Sequence, residues 1–377
     1  MVDERENFYP TNIRGGHATF HFQSNQSEEM RKRLQEQEKE NKKKNMFEEA
    51  MTELEALDGM GMVQEKIKEA LALANIYKAR NSFNLKNEQH ALHMIFTGNA
   101  GTGKTTVARI VGKLFVGAGL LKKGNFTETS NEIRHNNNNN NSQKDKDVPF
   151  VECTNADISS AFWGEDEKNM KKKFDEANGG VLFIDEAYSM ISRSGHRSGE
   201  KVSAVMVSEM ENRRESVCVI GAGYPTEMEE FIQYNTGLAS RFATVINFPN
   251  YSVPQLLKIA ESMTLERDYT MSLEYKSALA RRLEKERLLY TFGNARTVRN
   301  ILEESMRKQA KRIYEKYGST PSRESLMLLK IEDLEEYNPV FSGKEIKDSY
   351  KELYAQALAS GMISGGKSKK VRIKKQY

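Results

Sequence analysis

Leu92-His-Met-Ile-Phe96, Gly98-Asn99-Ala100-Gly101-Thr102-Gly103-Lys104-Thr105 and Thr106-Val-Ala-Arg-Ile-Val-Gly-Lys-Leu-Phe115 decide the fold of this 377-residue chain. The first piece is a short apolar run and reads as a buried parallel strand; the last carries apolar residues at helical spacing. The eight residues between them match the P-loop pattern G-x-x-x-x-G-K-[ST] at every fixed position. Glycines at 98, 101 and 103 let the backbone curl so that its N–H groups meet phosphate oxygens. The positive end of the helix that follows adds to that field. Lys104 is placed to reach the outer phosphates, and the Thr105 hydroxyl to ligate magnesium. Gly98 to Thr106 is therefore the expected nucleotide cradle.

Four more apolar runs lie downstream, at Pro149–Cys153, Val181–Ile184, Val217–Gly221 and Ala243–Phe248, separated by helical stretches. Strands alternating with helices imply a five-stranded parallel sheet covered on both faces, an α/β fold. From Ser252 to Gly318 helical periodicity takes over, which implies a small all-α second domain. The expected division is an N-terminal extension with a polar helix over 1–56, the α/β domain over 57–250, the helical domain over 251–318, and a C-terminal helix (Gly343–Ala359) with a basic tail over 319–377. Within the extension, Thr19–Phe22 alternates like a short strand, and Ser27 is the expected N-cap of a helix running to about Leu57. Asn136–Asn141 is a run of asparagines inside 126–147, a polar insertion that cannot bury a core.

Val181-Leu-Phe-Ile184 ends in Asp185-Glu186. Ligands bind at the carboxyl ends of parallel strands, so Asp185 is expected beside Thr105 as a magnesium ligand. Glu186 is expected to orient or deprotonate an attacking water, because γ-phosphate chemistry is mostly positioning and charge stabilisation. The two motifs together point to nucleotide hydrolysis.

The net charge of +4 is misleading, because Lys367–Tyr377 holds six basic and no acidic residues and leaves −2 for the rest. That argues against a basic nucleic-acid binder. Cys153 and Cys218 fall in apolar runs and read as core residues of a reducing compartment. His17 and His21 lack companion ligands. Met1–Asn7 has no signal-peptide character and no apolar run approaches membrane-spanning length, so the expected location is cytoplasmic.

Five segments carry a resemblance: Leu92–Arg109, Asn178–Tyr188, Ala222–Pro225, Gly237–Arg241 and Gly293–Asn300. Their order and spacing resemble the AAA+ ATPases, and among them the CbbX and stage V sporulation protein K group, over roughly residues 50–315. The resemblance implies a helical lid, a ring, commonly of six subunits, and Mg·ATP as cofactor. It implies that Arg241 is an arginine finger acting on the neighbouring subunit, and that Arg296 is the sensor-2 residue, with Arg299 as the alternative. It places adenine contacts around Asp58–Met62, here Gly59 and Met60. It puts Tyr224 at the sensor-1 position. Phe162-Trp163-Gly164 matches the aromatic pore loop that grips a client polypeptide, although the same aromatics could open the helix Glu165–Ala177 as core residues. Ser192–Glu200 reads as a second, polar loop. The implied function is remodelling of a partner protein; a DNA-associated ATPase and an ATP-binding assembly scaffold are the alternatives.

Overall fold

A computed structural model describes residues 22–57, 59–86, 91–121, 149–160, 164–192, 196–289, 291–318 and 320–335. Its elements in chain order begin with α1 (Phe22–Glu55), α2 (Gly61–Ser82), β1 (Met94–Gly98) and α3 (Lys104–Gly117). Next come β2 (Phe150–Cys153), α4 (Asn155–Ile158), α5 (Glu165–Glu176), β3 (Gly180–Ile184), α6 (Ser189–Ser192) and α7 (His196–Asn212). β4 (Val217–Gly223), α8 (Pro225–Tyr234), α9 (Thr236–Arg241) and β5 (Thr244–Phe248) complete the α/β part. The helical part holds α10 (Val253–Leu265), β6 (Thr270–Met271), α11 (Leu273–Glu286), α12 (Ala295–Tyr317), α13 (Arg323–Met327), β7 (Leu328–Leu329) and a 3-10 turn (Ile331–Asp333).

The large sheet is parallel throughout, in the order β2-β3-β4-β1-β5. Its central strands β3, β4 and β1 are almost wholly buried, because each face is covered there, whereas the edge strands β2 and β5 also carry the exposed Glu152 and Asn247. Met94 and Phe96 of β1, with Val181 and Phe183 of β3, join one core with α2 and α3. Ile95, Leu182 and Ile184 join the other core, with Phe174, Met206 and Phe231. This order puts the ends of β1, β4 and β3 side by side, so the turns after Gly98, Gly223 and Ile184 share one edge.

Several expectations change. Phe22 starts α1 and does not belong to a strand, and Ser27 lies inside that helix and is not its N-cap. No glycine or proline stands between Phe22 and Glu55 to delay the helix. The distal half of α1 carries the apolar residues that its helical spacing implied: Ala50 and Leu54 are fully buried against α3. The helices cross so closely that a Cβ on Gly117 would stand 2.9 Å from Phe47 Cβ. His196–Glu200, read as loop, opens α7.

The helical domain contains a two-residue parallel ladder, β6 on β7, too short to leave a sequence pattern. Residues after Gly318 return to it: Arg312 grips the buried Asp333 with Nε to Oδ1 at 2.7 Å and Nη2 to Oδ2 at 2.8 Å. The Asn-rich 126–147, the helix expected over Gly343–Ala359, the basic tail, His17 and His21 lie outside the described residues. Both cysteines are buried, and burial pushes the Cys153 thiol up to about 12 and the Cys218 thiol higher still.

Candidate functional site

β1 ends at Gly98, and α3 starts at Lys104 with Gly103 as its left-handed N-cap (φ 89). Gly101 is also left-handed (φ 69), so the loop uses two glycines where a side chain would be strained. Among the described residues, none of the N–H groups from Gly101 to Thr106 is paired with a protein acceptor. They include the N–H groups that a helix start leaves without an intrahelical partner. The result is a row of donors at the positive end of α3.

Lys104 folds back over this loop and donates from Nζ to the carbonyls of Gly98 (2.8 Å) and Asn99 (2.9 Å). Burial holds the ammonium below its ordinary pKa and Arg296 lowers it further, while Asp185 and Glu186 pull it back up.

Asp185 and Glu186 leave β3 at the same edge. Glu186 has φ 50, a left-handed conformation uncommon for a residue with a side chain. The turn is pinned by Ala187 N–H donating to Ala222 O (3.0 Å) on β4 and by Glu186 N–H donating to Asp185 Oδ1 (3.1 Å). That twist presents Glu186 as exposed while Ala187 beside it is fully buried. Strain at such a point is a common companion of function.

These parts line one cleft of about 380 Å³. Ala100, Gly101, Thr102, Gly103, Lys104, Thr105 and Thr106 form its floor, with Asp185, Glu186 and Tyr224 on the sheet side. Met60 closes one flank, and Arg296 and Arg299 enter from α12. Gly98 and Asn99 sit behind Lys104 and are not in the lining. Gly59 is not in it either; its left-handed backbone (φ 73) lies against Gln255, which leaves no room for a Cβ. Tyr224 caps α8 and stands 6.4 Å, ring to ring, from Tyr188.

Arg241 is placed elsewhere. It closes α9, and its Nε lies 2.8 Å from Glu211 Oε2 at the end of α7, outside the cleft of its own chain. Phe162 and Trp163 fall outside the described residues; Gly164 (φ 82) is the N-cap of α5.

Sequence reading missed Leu57, Tyr251, Ile259 and Met263, which line the cleft, and Asn294, which is buried beside it. Ile259 and Met263 are spaced one turn apart on α10 and could have been found as an apolar stripe. Tyr251 carries no local signal, because its hydroxyl meets Thr102 O far away in sequence; Asn294 stands inside the Gly293–Asn300 segment, but its contact with Ala100 O is equally remote.

Comparison with known proteins agrees with this geometry. Residues 94–250 match the family described as ATPase family associated with various cellular activities (AAA), and residues 252–341 match the AAA lid domain. Stage V sporulation protein K of Bacillus subtilis is 36% identical, covering 79% of this chain and 85% of that protein. The chloroplastic ribulose bisphosphate carboxylase/oxygenase activase of Cyanidioschyzon merolae is 32% identical, covering 78% and 88%. Protein CbbX of Cereibacter sphaeroides is 34% identical, covering 74% and 85%. A phosphate-cradling loop, an acidic strand end and a lid arginine meeting in one cleft, within a chain that matches these proteins over most of their length, make it a member of the AAA ATPase family, an ATP-hydrolysing enzyme of the stage V sporulation protein K and CbbX group.

Proposed function

We propose that this ATPase works as a ring, commonly of six subunits, that remodels a client protein. The observation that carries the reading is the split between its two functional arginines. Arg296 lines the cleft of its own chain, whereas Arg241 is held on Glu211 outside it. An arginine finger so placed has work only in a neighbour's cleft, which makes assembly a condition of turnover.

Within each cleft Lys104, Arg296 and the unpaired loop N–H groups suit a triphosphate, and Leu57, Met60, Ile259 and Met263 offer apolar contact for the base. Thr105 and Asp185 are the residues that would hold Mg²⁺, which would supply charge neutralisation at the phosphates. Glu186 orients the attacking water and accepts its proton. Tyr224, which lines the cleft, is assigned the sensor-1 role. Phe162-Trp163-Gly164 is assigned to grip an extended polypeptide, since an aromatic can press on a chain without sequence preference. The α/β part over 57–250 is assigned to nucleotide binding and the helical part over 251–318 to a lid that moves on it. Among the described residues no helix is long and apolar enough to cross a membrane, and a cytoplasmic setting is part of the proposal.

The test is a substrate trap. Glu186→Gln is expected to bind ATP, hydrolyse it slowly and retain a client protein. Lys104→Ala serves as the nucleotide-blind control and Phe162→Ala as the grip-deficient one. A client held only by Glu186→Gln and released by the added Phe162→Ala change supports remodelling. Self-association alone under every condition overturns it in favour of an assembly scaffold, and salt-sensitive stimulation by DNA favours a DNA-associated ATPase.

A further inference from the structure

The carbonyls of five consecutive P-loop residues accept hydrogen bonds, and three of the donors belong to residues after the sheet. Lys104 covers Gly98 and Asn99 from within the loop. Asn294 Nδ2 donates to Ala100 O (3.1 Å), Ala295 N–H to Gly101 O (3.2 Å), and Tyr251 O–H to Thr102 O (3.2 Å). In a trans peptide the N–H points opposite to the C=O before it. Each carbonyl pinned from behind therefore fixes the direction of the next N–H, the groups on which the cradle depends.

Asn294 is the hub of this arrangement. Its Oδ1 accepts from Tyr251 N–H (3.0 Å), and its Nδ2 donates also to Asn250 Oδ1 (3.0 Å), which in turn accepts from Asn99 Nδ2 (2.8 Å). Both amide donors and the amide acceptor are engaged, a set that only an amide supplies. The residue is fully buried and sits at φ 48, ψ −122, a conformation suited to glycine and costly for a side chain. The side chain is kept there in spite of the strain, and its contacts are the reason the structure offers. The lid backbone also approaches closely: a Cβ on Gly101 would stand 2.1 Å from Gly293 O and 2.9 Å from Arg296 N. Arg296 follows two residues after Asn294, in the first turn of α12.

We infer that Asn294 is a positioning residue for hydrolysis: it ties the start of α12 to the P-loop and thereby sets Arg296 in register with Lys104 and Thr105. The inference rests on the proposed role of Arg296 in its own cleft and adds the residue that aims it.

The test uses the full chain with steady-state phosphate release from Mg·ATP, binding of a fluorescent ADP analogue, and thermal melting. Asn294→Gly tolerates the backbone conformation and removes the side chain with its amide. It is expected to melt near the parent protein and to lower kcat about tenfold while KM changes less than about threefold, the pattern of lost alignment. Combined with Arg296→Ala, it is expected to lower kcat less than about twofold further, because the residue through which it acts is gone. Asn294→Asp keeps the acceptor and loses the donors; it decides the case if the glycine variant does not fold, and is expected to lose kcat to at least the same degree. A kcat within about twofold of the parent in these variants, or the same tenfold loss on top of Arg296→Ala, overturns the inference. If Arg296→Ala itself leaves kcat unchanged, the role of Arg296 fails and the inference fails with it. A loss in Arg296→Ala with none in Asn294→Gly removes the inference alone.

Discussion

The two ends of the central sheet come from the same strands and use their polar groups in opposite ways. At the carboxyl end a row of N–H groups has no protein acceptor among the described residues, a lysine is partly buried, and Glu186 is held in a left-handed turn. At the amino end a larger cavity, about 640 Å³, opens between α2, the end of α3 and the start of β5. Its floor is apolar, with Ala70, Leu73, Ala74, Met94 and Leu120, and its cations are engaged. Lys66 pairs with Glu69 (2.7 Å), Arg214 with Glu211 (2.7 Å), and Lys78 donates to Ala118 O (2.9 Å). Nearby, His93 is fully buried with both ring nitrogens used: Val219 N–H donates to Nδ1 (3.0 Å), and Nε2–H donates to Met210 O (3.1 Å). Volume alone would choose the wrong end. Polar groups left unpaired by the protein distinguish a site from a fold-stabilising cluster.

The sharpest way to break this contrast is at Arg241. Replacing it with Ala should lower kcat about a thousandfold while leaving ADP binding intact, because the proposed finger would act on a neighbouring subunit's nucleotide. An equal loss of nucleotide affinity would place Arg241 in its own cleft after all. Glu186→Gln comes next: a fall in kcat of about a hundredfold or more is expected with ATP binding retained. Turnover close to the parent's would reassign the water-activating role.

A smaller effect belongs to Glu211, which shares one carboxylate between Arg241 and Arg214. Glu211→Ala should lower kcat about tenfold, since the proposed finger would lose the contact at its root but keep its charge. If Glu211→Ala equals or exceeds the parent rate, the ion pair restrains the finger rather than aiming it.

The least effect on turnover is expected at the other end of the sheet. His93→Gln should leave kcat within about twofold of the parent and change stability instead. Burial, the largest cause, lowers the His93 pKa from 6.5 to about 4 in the folded chain. Between those values the unfolded chain binds the proton and the folded chain does not. The parent's stability is therefore full above about pH 6.5 and falls as pH drops toward 4, by about 3 kcal/mol from this group. Urea unfolding at pH 7 and pH 4.5 should show that loss in the parent and a flatter response in His93→Gln. Equal pH responses in the two proteins would mean that His93 is not a buried neutral base.

Much of this was legible in the order of residues. Each of the five sheet strands announces itself as a mostly apolar run, because a parallel sheet covered on both faces needs apolar residues at most positions, and the exposed Glu152 and Asn247 fall on its edge strands. Their ends shift by only a residue or two, as with Met94–Gly98 against the expected Leu92–Phe96. Less visible were elements whose form depends on what covers them. α1 starts earlier than its N-cap signal, and its second half is buried on Gly117 of α3. β6 and β7 are two-residue pieces that exist only because they meet.

By itself the sequence determined the P-loop, the acidic strand end and the alternation of strands and helices. These depend on the periodicity of short segments and on chemistry held within a few neighbouring residues. The tertiary structure alone decided what meets what. It placed Arg296 in the cleft and Arg241 on Glu211, and it brought Asn294, buried and at φ 48, onto a carbonyl 194 residues away in the chain. Hydrogen bonds of that span leave no period and no spacing to read, because their geometry exists only after the lid has packed against the sheet.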